Sequence, residues 1–134
     1  MSAAAQPRVL VDTDVLIDHL RGVPQAAKTL AAHDGIAISV ITLAELLAGA
    51  KGARERAHID ALEASCTVLP VDAMLARKAG ALRQRWGPSH GVELPDALIA
   101  ATAQQHALPL LTLNTKHYPM LDGLRAAYRK GPNA

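Results

Sequence analysis

Aromatic side chains are nearly absent from the sequence. It has no phenylalanine, and one tryptophan and two tyrosines make up its whole aromatic content. These residues are Trp86, Tyr118 and Tyr128. Proteins that hold single-stranded nucleic acid on aromatic platforms stack successive bases on such rings. The composition therefore argues against that mode of binding.

Cysteine and long apolar runs are also scarce. Cys66 is the only cysteine, which excludes an intramolecular disulfide and a cysteine zinc cluster, and we expect it to be a small core residue. Asp12 and Asp14 interrupt the first apolar stretch well before the ~20 residues that a membrane span needs. Nothing resembles a signal peptide. We therefore expect no membrane partner and a location in the reducing cytoplasm.

Charge is balanced and familiar catalytic motifs are missing. The formal net charge is +2, and the absence of long runs of like charge argues against a disordered basic arm. The sequence lacks the motifs of P-loop kinases, dinucleotide-binding domains, serine hydrolases and HExxH zinc hydrolases. Its 134 residues, 50% of them hydrophobic, predict one domain over 1–134, with flexible tails at 1–6 and 130–134.

Short apolar runs alternate with stretches of helical periodicity. The predicted strands are 9–11, 36–40, 67–69 and 109–113, with 125–128 as a candidate edge strand. The predicted helices are 15–20, 25–33, 42–49, 54–65, 72–86 and 95–106, and 87–94 is a predicted loop. Strands that are apolar on both faces and separated by helices are typical of parallel βαβ units. The sequence therefore predicts an α/β fold, a three-layer sandwich with a central parallel sheet of four to five strands flanked by helices.

Three acidic residues stand where a strand gives way to a helix: Asp12, Glu45 and Asp96. Ligands of open parallel sheets bind beyond the carboxyl ends of the strands, so these side chains are predicted to meet there. Carboxylates that share a site raise each other's pKa unless a positive charge neutralises them. A hard cation with oxygen ligands, Mg²⁺ or Mn²⁺, is the simplest such charge.

Each carboxylate also has an ordinary structural explanation. Asp14 is placed to cap the first helix, and a position close to the metal is the alternative. Thr42-x-x-Glu45 fits a capping box, in which the glutamate bonds back to the cap residue. Asp96 lies in a first helical turn, where the helix dipole favours a negative charge by about 0.3–1 kcal/mol. Sequence alone leaves these alternatives open.

Several basic residues are candidate contacts to RNA phosphates, with a solvated surface as the alternative. They are Lys51, Arg54, Lys78, Arg85 and Lys116. A stripe on the predicted helix 72–86, made of Leu75, Leu82 and Trp86, indicates ordinary core packing or a dimer surface.

Four segments together resemble the PIN-domain ribonucleases, and within them the VapC-type toxins of bacterial toxin–antitoxin pairs. The segments are 9–18 (VLVDTDVLID), 39–46 (SVITLAEL), 96–103 (DALIAATA) and 111–118 (LTLNTKHY). Each is short and weakly specific alone, but four in the family's order and spacing are highly specific. The resemblance covers nearly the whole chain.

This resemblance implies a PIN-like sheet whose acidic edge binds Mg²⁺ or Mn²⁺ through Asp12, Glu45 and Asp96. It implies cleavage of single-stranded regions of RNA, with tRNA and rRNA as candidate targets, a homodimer, and a VapB-type antitoxin that blocks the site. Many relatives carry a further acid in the fourth segment, where this chain has Asn114 and His117. That departure puts a tightly held second metal in doubt.

The mechanism expected from these residues is metal-dependent hydrolysis of a phosphodiester. A metal-bound water would attack the phosphorus and leave a 5′-phosphate and a 3′-hydroxyl. The side chains predicted to orient the carboxylates or the substrate are Thr13, Asp14, Ser39, Thr112 and Asn114.

Two other functions stay open from the sequence. An aspartyl-phosphate hydrolase of the haloacid-dehalogenase type would use Asp12 as nucleophile and Asp14 as acid, but Lys116 and Asp122 fit its remaining positions poorly. A degenerate PIN module that binds RNA or a partner without cutting it is the second alternative, and the missing fourth acid is its best support.

Overall fold

The structure, a computed structural model, describes residues 6–129. The tails predicted at 1–6 and 130–134 fall outside that range except for Gln6, which is exposed. Within it the chain forms four strands: β1 (Val9–Val11), β2 (Ile36–Ser39), β3 (Thr67–Leu69) and β4 (Leu110–Leu111). The helices are α1 (Thr13–Leu20), α2 (Pro24–Ala31), α3 (Val40–Ala48), α4 (Ala53–Ser65), α5 (Ala73–His90) and α6 (Leu94–Gln105). A 3₁₀ turn covers Thr115–His117.

The strands form one parallel sheet in the order β3-β2-β1-β4. Strand β1 lies between β2 and β4, with Leu10 in register with Ala37 on one side and with Leu110 on the other. All four strands point the same way, so their carboxyl ends share one edge. The predicted parallel α/β sheet is confirmed.

Helices cover both faces of the sheet, and the alternation of side chains along β1 explains the layers. Val9 and Val11 point to one face, where they pack in a cluster with α1, α3 and α4 residues such as Val15 and Ile59. Leu10 points to the other face and packs with α6. Apolar residues on both sides of a strand require cover on both sides, which gives three layers.

Helix α5 is longer than predicted and passes through Pro88. The sequence predicts its end at Trp86 and a loop over 87–94, but the helix continues to His90. Gly91 ends it in the left-handed conformation (φ 64°), and its amide donates to the Gly87 carbonyl at 2.8 Å. A left-handed glycine after the last turn is a common helix stop, and here it lies further along the chain than the Gly87–Pro88 pair.

The candidate edge strand at 125–128 is wrong. This segment lies beside the residue that follows β4, because the Ala127 amide donates to the Thr112 carbonyl at 2.8 Å, but it does not form a strand. The Tyr128 hydroxyl instead connects this segment to α1, because it donates to Asp18 Oδ2 at 2.7 Å. The sheet of the described residues therefore has four strands and not five.

Other features follow the sequence more closely. Leu75 is buried, and Leu82 and Trp86 pack beside it against α6, so this stripe packs in the core. Cys66 is half-buried at the end of α4, and burial raises the pKa of its thiol. No helix within residues 6–129 is both long and apolar enough to cross a membrane.

Candidate active site at the carboxyl edge of the sheet

Asp12 follows β1 directly and is held by three hydrogen bonds. Its Oδ1 atom accepts from the Thr13 amide at 2.8 Å, which makes Asp12 the N-cap of α1. Its Oδ2 atom accepts from two hydroxyls, those of Thr112 and Tyr118, each at 2.8 Å. Only 6% of the residue is exposed. The carboxylate is therefore fixed in orientation at the centre of the edge.

Asp14 connects the first turn of α1 to the end of β4. Its Oδ1 atom accepts from the Val15 amide at 2.8 Å, and its Oδ2 atom accepts from the Leu113 amide at 2.9 Å. The Thr112 hydroxyl lies 3.4 Å from the same Oδ2. Asp14 is not the helix cap that the sequence suggests, because Asp12 takes that position.

Glu45 reaches the site from α3 through a hydrogen bond with α1. Its Oε1 atom accepts from the Thr13 hydroxyl at 2.7 Å, and that hydroxyl also lies 3.1 Å from the Thr42 hydroxyl. The capping-box alternative for Glu45 is wrong, because Ser39 caps α3 by accepting from the Ile41 amide at 3.0 Å. The glutamate is thus free of a capping role and lies on the Asp12 side of the helix.

Asp96 lies in the first turn of α6 and faces the 3₁₀ turn after β4. Its Oδ1 atom is 3.4 Å from the Tyr118 hydroxyl, and its Oδ2 atom is 3.3 Å from Nδ1 of His117. The Asp96 side chain is 23% exposed. Tyr118 contacts both Asp12 and Asp96, and Glu45 bonds to Thr13, the neighbour of Asp12, so the three acids predicted from sequence lie at the same edge of the sheet.

Burial and mutual repulsion make these carboxylates harder to ionise. Burial raises the pKa of Asp12, and the nearby charge of Asp96 adds to the effect, while its three hydrogen bonds act in the opposite direction. Burial followed by the charge of Asp12 raises the pKa of Asp14. The pKa of Asp96 is raised by burial first and also by Glu45 and Asp14, although His117 opposes the shift. The neighbouring hydrogen-bond donors and His117 thus do not fully stabilise the negative charges of Asp12, Asp14 and Asp96.

Tyr118 is the residue of this site that sequence reasoning missed. Its side chain is 1% exposed and packs in the cluster around Leu10 and Ile99. Burial and the charges of Asp12 and Asp96 raise the pKa of Tyr118 far above its ordinary value, so the phenol keeps its proton and donates it. The one sequence signal for Tyr118 was its position at the end of the fourth segment. A tyrosine at that position is equally compatible with a side chain that only packs in the core.

The remaining predicted residues lie at various distances from the carboxylates. Thr112 is fully buried and donates to Asp12, whereas the Ser39 hydroxyl accepts from the Ile41 amide of its own helix. Asn114 is exposed, and its amide donates to the Thr112 hydroxyl at 3.1 Å. Lys51 and Arg54 line a groove between α1, α3 and α4 that also contains Glu45. Three further cations are exposed, on α5 and on the 3₁₀ turn: Lys78, Arg85 and Lys116.

The donor set suits a hard divalent cation, although the side chains are not closed around one. Carboxylate and hydroxyl oxygens are the ligands that Mg²⁺ and Mn²⁺ prefer, and a cation would offset the burial and, to a lesser degree, the repulsion that raise the pKa values of Asp12 and Asp96. In the described part of the chain no three acidic, histidine or cysteine side chains are close enough to ligate one ion together. Mg²⁺ keeps several waters when proteins bind it, so the residues fit an ion held partly through water.

Comparison with known proteins agrees with this arrangement. A family model described as the PIN domain matches residues 9–120. The chain is 46% identical over 124 residues to a protein named ribonuclease VapC10 of Mycobacterium tuberculosis, covering 90% of this chain and 92% of the relative. It is 40% identical over 124 residues to ribonuclease VapC19 of the same organism, covering 89% and 98%. A toxin–antitoxin complex from Klebsiella pneumoniae contains a chain with 34% identity and a TM-score of 0.79, covering 91% of this chain and 99% of that one.

Proposed function

Because the chain belongs to the PIN-domain family, and within it to the VapC ribonuclease toxins of VapBC toxin–antitoxin systems, we propose that it is an endoribonuclease that hydrolyses single-stranded regions of RNA with Mg²⁺ or Mn²⁺. The observation that carries this proposal is the convergence of Asp12, Glu45 and Asp96 at one edge of the sheet. Asp12 and Asp96 share the Tyr118 hydroxyl there, burial opposes the ionisation of both by raising their pKa values, and Glu45 accepts from the hydroxyl of Thr13, the residue next to Asp12.

Asp12, Glu45 and Asp96 would hold the cation, directly or through water. When bound, the cation supplies the positive charge that lowers the pKa of a water molecule and neutralises charge on the scissile phosphate. Asp12 is oriented by Thr13, Thr112 and Tyr118, and Glu45 is held by the Thr13 hydroxyl.

The proposed reaction is hydrolysis without use of the 2′-hydroxyl of the RNA. A water oxygen forms a bond to phosphorus, the bond from phosphorus to the 3′-oxygen breaks, and the 3′-oxygen takes a proton. The products are a 5′-phosphate and a 3′-hydroxyl. The half-exposed edge between Glu45 and Asp96 is where a phosphate would reach the carboxylates.

RNA phosphates on either side of the site would contact exposed cations. Lys116 lies in the 3₁₀ turn next to His117, which contacts Asp96, and Lys51 and Arg54 lie in the groove that contains Glu45. We propose these three as the nearer contacts. Lys78 and Arg85 on α5 are proposed as more distant ones.

A VapB-type antitoxin is the proposed protein partner. The solved Klebsiella relative is described as a toxin–antitoxin complex, which supports a similar partner for this chain. An antitoxin arginine placed among the carboxylates would form charge-assisted hydrogen bonds and replace the cation. Assembly into a homodimer, which the sequence resemblance implies, remains a prediction.

Cleavage of single-stranded RNA by the purified protein tests the proposal. We expect cleavage in Mg²⁺ or Mn²⁺, none in EDTA, and 5′-phosphate ends that a 5′-phosphate-dependent exonuclease degrades. Undiminished cleavage in EDTA, or products ending in a 2′,3′-cyclic phosphate, would exclude the mechanism. Tight RNA binding in Mn²⁺ without cleavage of any RNA tested would favour the non-cutting PIN module.

The aspartyl-phosphate alternative has little support at the site. Asp122, the second acid that this class would need, lines a depression with Leu108 and Pro109. These two residues precede β4, so Asp122 lies towards the opposite edge of the sheet from Asp12. Each oxygen of Asp14 accepts a hydrogen bond from a main-chain amide, of Val15 or of Leu113. Since these bonds favour the ionised carboxylate, Asp14 is poorly placed to act as a proton donor.

A further inference from the structure

Tyr118 occupies an unusual position between two carboxylates. Its hydroxyl has one proton, which it donates to Asp12 Oδ2 at 2.8 Å, and Asp96 Oδ1 lies 3.4 Å away on its other side. The ring is buried against Leu10 and Ile99 on the α6 face of the sheet and is 1% exposed. The hydroxyl is therefore held in place by the core and has little freedom to move away from the two acids.

The hydrogen bonds of Asp12 leave its two oxygens unequal. An ionised carboxylate has about four acceptor positions, two on each oxygen. Oδ2 uses both of its positions, for the Thr112 and Tyr118 hydroxyls. Among the described residues Oδ1 accepts one hydrogen bond, from the Thr13 amide, and keeps a position open. Any cation at this edge therefore finds one available oxygen on Asp12.

We propose that Tyr118 is a positioning residue whose hydroxyl makes Asp12 a one-oxygen ligand and so favours Mg²⁺ over Ca²⁺. The proposal rests on the proposed function, because it concerns the cation of that same site. Mg²⁺ requires near-ideal octahedral geometry, which single-oxygen ligands satisfy, whereas Ca²⁺ accepts carboxylates that bind through both oxygens. With Oδ2 occupied by two donors, Asp12 cannot bind through both.

The alternative role for Tyr118 is packing alone. Its ring fills the space between β1, β4 and α6, and that contribution would be the same without the hydroxyl. Tyr118→Phe separates the two roles, because it keeps the ring and removes the donor. A packing role predicts no change in the relative affinities for the two cations.

Tyr128→Phe is a matched control from the same chain. It also removes a tyrosine hydroxyl that donates to a mostly buried aspartate, Asp18, at 2.7 Å. Tyr128 packs on the opposite face of the sheet from Tyr118, in the cluster that includes Val9 and Val11. The control thus reproduces the chemical change without touching Asp12 or Asp96.

Calorimetric titration with Mg²⁺ and with Ca²⁺, in the absence of RNA, measures the effect. For Tyr118→Phe we expect Mg²⁺ affinity to fall about 10-fold, as for other hydrogen-bond partners of metal ligands, and Ca²⁺ affinity to fall less, so that the preference for Mg²⁺ shrinks. In cleavage assays kcat should fall while KM for RNA stays nearly constant. Tyr128→Phe should match the wild type in both cation affinities.

Equal losses for the two cations, or no loss, would overturn the inference. Failure of the wild type to bind either cation is a distinct result, which would overturn the proposed function and this inference with it. A further measurement does not depend on the folding of Tyr118→Phe. In Tyr128→Phe, Tyr118 is the only tyrosine of the chain, so ¹³C labelling at tyrosine Cζ reports on one hydroxyl. Its resonance should shift when Mg²⁺ is added, and an unchanged resonance at saturating Mg²⁺ would contradict the proposal.

Discussion

At the scale of single residues, effects of opposite sign act on the carboxyl group of Asp12. Burial and the charge of Asp96 raise its pKa, while hydrogen bonds from Tyr118, Thr112 and the Thr13 amide lower it. Burial is the largest of these effects, so the pKa remains raised. A carboxylate kept ionised under such conditions needs a further positive charge. A cation bound at this edge, as in the proposed function, would supply that charge.

Replacing Asp12 with asparagine should abolish cleavage while leaving the chain folded. The amide oxygen can still accept from Thr112 and Tyr118, but the negative charge is lost. We expect cleavage of single-stranded RNA to fall at least about 100-fold, the upper end of the effect of losing an outer partner of a metal ligand. Circular dichroism checks the fold, and Asp60→Asn, a change at an exposed carboxylate on α4, serves as control. Retention of more than a tenth of the wild-type rate would count against a direct role.

Stability in EDTA should depend on pH in a direction set by the raised pKa values. The folded state binds protons at Asp12, Asp14 and Asp96 more readily than the unfolded chain does. Their ionisation therefore destabilises the fold, fully above the raised pKa values and progressively less as pH falls towards the ordinary aspartate pKa of about 3.9.

The pH effect is best measured as a difference between wild type and Asp12→Asn, because other groups titrate in both proteins. Asparagine cannot ionise, so the variant lacks the Asp12 contribution. We expect the melting temperature of the variant relative to wild type to be highest near neutral pH and to decline as pH falls through the carboxyl range. A difference that stays constant over this range would show that Asp12 ionisation does not destabilise the metal-free fold.

At the scale of elements, the end of β1 was easier to predict than the caps of the helices, whereas β4 (Leu110–Leu111) is shorter than the predicted strand 109–113. The run Val9–Val11 is apolar and β-branched, and Asp12 ends it, so both the strand and the position of the acid could be read from sequence. Asp96 was equally accessible, since Pro95 marks the start of α6. Helix ends depend on which of several capping groups is used. Ser39 and Thr42 are both good caps, and the structure uses Ser39, the last residue of β2.

Competing local signals and tertiary contacts account for what the sequence did not predict. The extension of α5 through Pro88 was missed because the chain offers two stop signals, the Gly87–Pro88 pair and Gly91, and the helix ends at the second. The segment at 125–128 makes one main-chain bond to Thr112 beside β4, but the Tyr128 bond to Asp18 holds it against α1. Tyr118 was missed for the same reason, because a hydroxyl that bridges two carboxylates distant in sequence leaves no periodic pattern.

Thr13 connects α1 to α3, and its replacement should impair cleavage without loss of the fold. Thr13→Val removes the hydroxyl that donates to Glu45 Oε1 and keeps the shape of the side chain. Glu45 is exposed, so without this bond it is free to adopt other rotamers. We expect kcat to fall about 10-fold.

Thr13→Ser is the matched variant for this test, because it keeps a hydroxyl at the same position. It should retain most of the wild-type kcat. A valine variant that keeps the wild-type kcat, or a serine variant that loses as much activity as the valine variant, would count against the hydrogen bond to Glu45 as the cause.

At the scale of the whole molecule, the apolar residues that stabilise the fold and the acidic residues of the proposed active site lie at different parts of the sheet. Apolar clusters cover both faces, and they contain the buried residues of β1, β2 and α6. The acidic residues lie together at the edge where these strands end. A large core can stabilise a fold that keeps several repelling carboxylates at one edge, and a cation that binds there should add to that stability.

Saturating Mg²⁺ should therefore stabilise the whole protein by an amount that depends on the site carboxylates. A ligand that binds only the folded state at about 100 times its Kd adds about 2.7 kcal/mol to the free energy of unfolding. We expect an increase of this order for the wild type, measured by urea unfolding in Mg²⁺ and in EDTA, and a much smaller one for Asp96→Asn. Asp60→Asn should respond like the wild type, since its carboxylate lies on α4 away from the edge. An equal response from all three proteins would mean that Mg²⁺ acts through general screening of charge, and the acidic edge would then not be the place where it binds.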